Sequence, residues 1–193
     1  MIRFILQNSR WLTAGALLTL ISSFGQTYFI SIFAGEIRAT FNLSHGDWGA
    51  IYGFGTFASA VVMIWSGGLT DVMRVRNLGP IVLAALAASC LFMAFNPWVA
   101  LLPVVIFCLR FTGQGMSTHI ATVAMSRWFV ANRGKALSVA TLGFSFGSLL
   151  SSSRGQPFGV FHLAKHLGLS SWHSNFGHSR VALVARRRAQ PSI

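Results

Sequence analysis

Arg110 carries the only formal charge between residues 77 and 126. Its guanidinium stays positively charged at physiological pH and presents five N–H donors in a planar fork. A charge this deep in an apolar stretch has to face a cavity or a partner group, where it could contact a bound solute. It could equally bond only the backbone carbonyl groups of neighbouring segments. The sequence leaves both roles open and makes Arg110 the first candidate functional residue.

A second charged cluster lies between two long apolar segments. Asp71, Arg74 and Arg76 fall within residues 67–76, whereas residues 48–70 and 77–109 carry no formal charge. Each uncharged segment exceeds the roughly 20 helical residues that cross the hydrocarbon core of a bilayer. The cluster is therefore predicted to form a short loop at a membrane surface, between two antiparallel helices.

The side-chain sets that enzymes use do not occur in this sequence. It shows no paired carboxylates, no nucleophile motif and no glycine-rich phosphate loop after a strand pattern. Residues 154–193, which we call the tail, hold four histidines: His162, His166, His173 and His178. They have no cysteine or carboxylate companion, and their spacing fits no standard zinc set. We expect no enzymatic activity, no metal and no cofactor.

The composition indicates a multi-pass membrane protein. Of 193 residues, 53% are apolar and only 9% are charged, which separates the chain from the globular and disordered classes. The net charge of +12 would suit nucleic acid, but the cations lie in short segments between apolar runs and in the tail. We therefore expect the lipid bilayer, and no nucleic acid, as a partner.

The apolar runs predict an all-α, multi-pass membrane helix bundle of about five transmembrane helices. The membrane domain is predicted over residues 1–150. Its helices are expected at about 11–34, 48–70, 80–95, 98–124 and 136–153, with a polar connection at 35–47. Residues 154–193 form a basic tail rich in Ser, His and Arg, without the apolar length of a sixth span. We expect this tail to be disordered or aberrant and to lie outside the membrane.

Loop charges predict the orientation. Seven cations lie in the amino terminus and in the loops at 71–79 and 126–135, and the opposite loops hold only Arg38. By the positive-inside rule, the amino terminus is cytoplasmic, in a cell (inner) membrane. Five spans then place the tail outside, although it holds six cations and no acid. We interpret that conflict as a sign that sequence from about Ser151 is not native, as a frameshift or a broken gene would produce.

The loop at 67–76 resembles a motif of the major facilitator superfamily of secondary transporters. That family's loop between its second and third helices usually reads G-x-L-A-D-R-x-G-R-R. Four residues match it in place: Gly67, Leu69, Asp71 and Arg76. Three depart from it: Val72, Arg74 and Val75. The resemblance implies that the aspartate engages the amino end of a helix in the second half of the protein. The alternative is an ordinary solvated loop at the membrane interface.

Two further segments carry the same resemblance. Arg110 with Gly113 and Gly115 is similar to the family's R-x-x-x-G-x-G-type motif, with compressed spacing. Residues 126–135 resemble the family's loop between its fourth and fifth helices. The resemblance covers about residues 11–150. It implies twelve spans in two six-helix halves, with a small-solute site between the halves, of which this chain would supply five spans.

The resemblance also implies which polar residues line the solute site, because the family builds it from helices one, two, four and five. These residues are Gln26, Tyr28, Tyr52, Arg110, Gln114 and His119. Each could instead be an interhelical hydrogen-bond partner. The implied function is alternating-access transport of a small solute, with proton coupling as one alternative, by an incomplete half that needs a carboxyl-terminal half or a second copy. A competing hypothesis is a small membrane scaffold or a dimerising half-carrier.

Overall fold

A computed structural model of the chain describes residues 2–152, and the surroundings of side chains for residues 4–149. Within that part the regular structure is helical, without strands. Four helical segments there are long and apolar enough to cross a membrane: Ser9–Phe41, His45–Val72, Val75–Phe95 and Val99–Trp128. We call them the first to fourth spans. The basic tail at 154–193 lies outside the described residues.

The first span is interrupted near its middle. A short helix, α1 (Ile2–Gln7), precedes α2 (Ser9–Ile21), which runs into a single 3-10 turn at Ser22–Gly25. Gln26 then adopts an extended conformation, with φ −79° and ψ 153°, before α3 (Thr27–Phe41) begins. The uncharged run at 11–34 therefore forms two helices joined by a break rather than the single continuous helix we predicted.

The connection to the second span is shorter than the predicted polar segment at 35–47. Helix α3 continues to Phe41, so Glu36 and Arg38 are helical. Asn42 ends it in the left-handed conformation, with φ 55°, which asparagine tolerates better than most residues. The next helix, α4 (His45–Ser66), starts at a reciprocal cap in which Ser44 and Asp47 each bond the other's backbone N–H. A turn and α5 (Leu69–Val72) complete the span.

The third span, α6 (Val75–Phe95), begins before the predicted start at Pro80. Leu78 is 2% exposed and packs with Val82, and Val75 lies against the same core. Because these side chains are buried, packing stabilises the helix ahead of the proline. Pro80 removes one backbone donor without ending the helix.

The fourth span is one helical rod with three kinds of helical turn. A 3-10 turn (Val99–Leu101) leads into α7 (Leu102–Leu109), then a π-helical segment at Arg110–Ser117, then α8 (Thr118–Trp128). The span contributes to each hydrophobic core cluster of the described residues. Val105 packs with α3 and α6, Ile120 with α6, and Ala124 with α2. It is therefore the centre of the described bundle.

The last described helix, α9 (Arg133–Ser152), follows the fourth span after a 3-10 turn at Val130–Asn132. It has the length of a span but is not among the four segments that are apolar enough to cross a membrane. Cations at its start and several Ser and Gly residues lower its hydropathy. It packs along the first span, where Ala136 and Ala140 join Leu12 in one core cluster. The described bundle thus has four clear spans and one more polar helix where we predicted about five spans.

Candidate functional site

The break in the first span and the π-helical segment of the fourth span meet backbone to backbone. A methyl group built on Gly113 would lie 2.6 Å from the Cα atom of Gly25 and 3.2 Å from the carbonyl oxygen of Ser22. A methyl group built on Gly25 would lie 2.7 Å from the Cα atom of Gly113. Such distances leave no space for a side chain, so the contact requires glycine at both positions.

The π-helical segment widens the fourth span at this contact. The hydroxyl of Ser117 donates to the carbonyl oxygen of Thr112 at 2.7 Å, five residues earlier. Thr112 in turn donates to the carbonyl oxygen of Cys108 at 2.7 Å. Both hydroxyls therefore bond backbone carbonyl groups of the same span. Arg110 occupies the first position of this segment. Since π-helical turns are rare and often occur at functional sites, its position supports Arg110 as a candidate functional residue.

Arg110 reaches across to the break in the first span. Its Nη1 donates to the Thr27 hydroxyl oxygen at 2.9 Å and, more weakly, to the Gly25 carbonyl oxygen at 3.5 Å. Its Cζ atom lies 5.7 Å from the centre of the Tyr52 ring, a cation–π distance. Only 8% of Arg110 is exposed. We call Arg110, Gly25, Thr27 and Tyr52 the arginine cluster, which joins the first, second and fourth spans.

Several side-chain polar atoms of the described bundle are buried without a hydrogen bond to the described residues. Two of them belong to the arginine cluster: Arg110 Nε and the hydroxyl oxygen of Tyr52. Buried polar groups in folded proteins are nearly always hydrogen-bonded, and each exception requires an explanation. The cluster therefore has hydrogen-bonding capacity that a bound polar molecule could use.

The structure brings together some of the predicted site residues and separates others. Tyr52 lies beneath Arg110, and Tyr28 directs its hydroxyl toward Gly147 of α9, where an added methyl group would lie 3.1 Å away. Gln26 is half-buried at the helix break, and Gln114 is exposed. Thr27, which is not among the predicted site residues, contacts Arg110 directly. The sequence shows that Thr27 is next to the candidate Gln26, but it does not indicate the helix break that turns Thr27 toward Arg110.

His119 lies at the loop motif and not in the arginine cluster. Its Nε2 is 3.1 Å from the carbonyl oxygen of Gly67 and 3.3 Å from the hydroxyl of Thr70. Because a carbonyl oxygen can only accept, Nε2 carries the hydrogen of this bond. Thr70 also donates its hydroxyl to the Gly67 carbonyl at 2.9 Å. The fourth span thus fixes the turn that carries the motif glycine.

Asp71 of the motif pairs with Arg127, at the end of α8. Nη2 of Arg127 donates to Oδ1 of Asp71, and Nη1 donates to the carbonyl oxygen of Thr70 at 2.7 Å. The resemblance implied a partner helix in a second half of the protein, whereas the partner among the described residues is on the fourth span. Leu69 and Arg76, the other motif residues, are exposed. Arg127 was visible only as one of several loop cations, and its pairing depends on the fold.

We expect the Asp71–Arg127 pair to contribute little to stability. Both side chains are at least half exposed, and exposed ion pairs are worth about 0.2–1 kcal/mol. Asp71→Asn should therefore lower the free energy of unfolding by no more than about 1 kcal/mol. A double-mutant cycle with Arg127→Gln, measured by denaturation in detergent micelles, gives the coupling energy directly. A coupling of several kcal/mol would show that the pair holds the two loops together.

Comparison with known families agrees with this architecture. The family model described as Major Facilitator Superfamily matches residues 15–174, more than half of the chain. The match includes nearly all of the first span, the other three spans and α9, and it continues into the basic tail beyond Ser151. No curated protein and no solved structure gives a match to the chain. The chain therefore belongs to the major facilitator superfamily, a family of transporters, and is a multi-pass membrane protein.

Proposed function

We propose that this protein moves a small solute across the membrane by alternating access, and that the arginine cluster is part of the solute site. The observation that carries the proposal is the position of Arg110. It lies eleven residues after the start of the fourth span at Val99, which is about 17 Å of helical rise. At that depth a charged side chain costs at least about 3 kcal/mol on insertion scales, so a functional role is the default hypothesis.

The two irregular segments beside Arg110 support the same proposal. Secondary transporters commonly bind solutes near the bilayer midplane, where discontinuous helices leave backbone groups outside the regular ladder. The first span has its break at residues 22–26, and the fourth span has its π-helical segment at Arg110–Ser117. Gly25 and Gly113 bring these segments into contact. Irregular backbone at this depth is tolerated where it lines a cavity or is buried in protein.

Alternating access requires a second bundle that moves against the first. We propose that it is a carboxyl-terminal half or a second copy of this chain. The second span supports this proposal because several of its large side chains are uncovered by the described bundle. They are Phe54, Phe57, Ile64 and Trp65. Lipid and a second bundle would share that surface.

We further propose that the amino terminus is cytoplasmic, in the cell (inner) membrane. The Asp71–Arg127 pair supports this orientation because it places the loop motif and the end of the fourth span at the same face of the bundle. Both segments are rich in cations. The connection after α3 lies at the opposite end of the second span. Arg38 is the one Lys or Arg near it. The positive-inside rule assigns the cation-rich face to the cytoplasm.

Reporter fusions will test this orientation. A reporter fused after Met73 or Asn132 should read as cytoplasmic, and one fused after Leu43 or Asn96 should read as outside, because these positions lie in the four connections between helices. Alkaline phosphatase and a fluorescent protein, which are active on opposite sides of a bacterial inner membrane, give complementary signals. A cytoplasmic signal after Leu43 would overturn the proposed orientation.

Uptake into proteoliposomes will test transport. Vesicles that contain the purified chain, with and without a co-reconstituted carboxyl-terminal half from a transporter of the family, are exposed to labelled sugars, amino acids, amines and organic acids. We expect at least one solute to accumulate above the level in empty vesicles when the second half is present, and Arg110→Leu to reduce that accumulation by about thirtyfold or more. Accumulation that is unaffected by Arg110→Leu would remove the arginine cluster from the site.

A further inference from the structure

All three acidic side chains of the chain are accounted for away from Arg110. The sequence has no other Asp or Glu. Asp71 pairs with Arg127, and Asp47 accepts hydrogen bonds from the backbone and hydroxyl of Ser44 at 3.1 and 2.6 Å. Glu36 is exposed on α3, nine residues beyond Thr27, a helical rise of about 14 Å. The chain therefore supplies no side-chain carboxylate to Arg110, the most deeply buried cation of the residues that the structure describes.

The groups of the described residues that contact Arg110 are all formally neutral. They are the Thr27 hydroxyl, the Gly25 carbonyl and the Tyr52 ring. Neutral acceptors and a ring face reduce the penalty for burying a guanidinium but leave its full positive charge in place. An unpaired buried charge is strongly unfavourable, whereas the same charge with an opposite partner in good geometry is much less so. The site therefore favours a bound group that carries one negative charge.

The hydrogen bonds of Arg110 show which of its edges has no partner among the described residues. Nη1 is held by Thr27 and Gly25. Nε is buried without a partner, and Nη2 forms no hydrogen bond with the part of the chain that the structure describes. Nε–H and Nη2–H point in the same direction along one edge of the guanidinium plane. Two parallel donors of this kind match the two oxygens of a carboxylate.

We propose that the transported solute is a monocarboxylate and that its carboxylate binds the Nε and Nη2 edge of Arg110. This inference rests on the proposed transport function and names the solute class for the same site. One carboxylate neutralises the single buried charge. A phosphate dianion would replace an unpaired positive charge with a net negative one, at a similar penalty. A neutral or cationic solute would leave the charge of Arg110 unpaired.

Equilibrium binding to the full chain in phosphatidylcholine nanodiscs tests this inference without requiring transport. The probes are acetate, lactate and benzoate, each paired with its amide of nearly the same shape, together with inorganic phosphate. We expect at least one acid to bind about tenfold or more tightly than its amide, because only the acid brings a negative charge to Arg110. The same acid should bind more tightly than phosphate at about pH 8, where phosphate is mostly a dianion. Equal binding of acid and amide, or no binding of any acid, would overturn the inference.

Variants link the binding to Arg110. Arg110→Gln should weaken binding of the preferred acid by about tenfold or more. The matched control is Arg38→Gln, which also removes one positive charge but lies at the far end of α3, where its Nε bonds the Ala34 carbonyl. Unchanged affinity in Arg110→Gln would contradict the inference. If that variant does not fold, the comparison of acid and amide in the unaltered chain still shows whether the site prefers a carboxylate.

The outcomes also separate this inference from the transport function. Binding of an acid without uptake in any reconstituted assembly would support a carboxylate site and contradict transport. Uptake restricted to neutral or cationic solutes would support transport and overturn the carboxylate assignment. Uptake of the same acid that binds, lost in Arg110→Gln, would support both.

Discussion

Replacing Arg110 with leucine should reduce solute uptake by about thirtyfold or more when uptake is normalised to the amount of protein in the membrane. Truncating one member of a buried, hydrogen-bonded charge contact costs about 2–5 kcal/mol, and leucine removes every hydrogen bond that Arg110 makes with the first span. Membrane abundance should stay the same or rise, because leucine relieves an insertion penalty of about 3 kcal/mol.

Arg110→Lys separates charge from geometry. Lysine keeps the positive charge but has no planar fork, so it cannot bond Thr27 and present two parallel donors to a solute at once. We expect an intermediate loss of normalised uptake, of roughly tenfold. Normal uptake with leucine at this position would mean that Arg110 only holds the helices together. Normal uptake with lysine would mean that charge alone matters.

Replacing Gly113 with alanine should destabilise the protein by at least about 1–3 kcal/mol, the usual penalty for overpacking a core. The added methyl group would lie 2.6 Å from the Cα atom and 2.8 Å from the nitrogen of Gly25. These are backbone atoms and cannot rotate away, so the first and fourth spans have to separate. The separation should also weaken the bond between Arg110 and Thr27, and with it any binding at the arginine cluster.

The matched control for Gly113→Ala is Gly53→Ala. Gly53 also lies within a span, but a methyl group built there meets no atom within 4 Å, and alanine is the better helix former. Thermal denaturation of the purified variants in one detergent should therefore show a clearly lower melting temperature for Gly113→Ala and no decrease for Gly53→Ala. Equal melting temperatures would contradict the close contact between the two spans.

The sequence predicted the parts of this protein that depend on composition and local pattern. Uncharged runs longer than a bilayer crossing predicted the helical membrane bundle, and the family match and the structure confirm that class. The isolated charge of Arg110 identified the residue that the structure buries at the contact of three spans. The motif at 67–76 indicated the family correctly.

Helix ends were predicted less well, although one signal was present. Ser44 and Asp47 have the spacing of a reciprocal cap, which indicates a helix that starts at His45. Prediction from uncharged runs overlooked it because Glu36, Arg38 and Asp47 were all assigned to a polar connection. Charges near the end of a long helix do not end that helix, since they can lie at the membrane surface.

The irregular segments and long-range contacts could not be predicted from local sequence. Nothing in the uncharged run at 11–34 requires a break, and Gly25 takes its position because Gly113, 88 residues later, packs against it. The π-helical segment likewise depends on its neighbours. His119 was predicted to line the solute site, but its hydrogen bond is to the carbonyl group of Gly67 in another span. The residue type of His119 does not indicate which distant backbone group it contacts.

The most direct test of the proposed mechanism is the accessibility of position 27. Thr27 touches Arg110 at the start of α3, near the middle of the first span. Thr27→Cys is prepared in a chain whose two cysteines, Cys90 and Cys108, are replaced by alanine. A charged, membrane-impermeant thiol reagent is then applied to membrane vesicles of each orientation, with and without the transported solute.

Alternating access predicts that the cysteine at position 27 reacts from both faces of the membrane and that saturating solute slows both reactions, because the site opens to each side in turn. A position sealed within a static bundle would react from neither face. Reaction from one face only, unchanged by solute, would contradict a solute site at the arginine cluster.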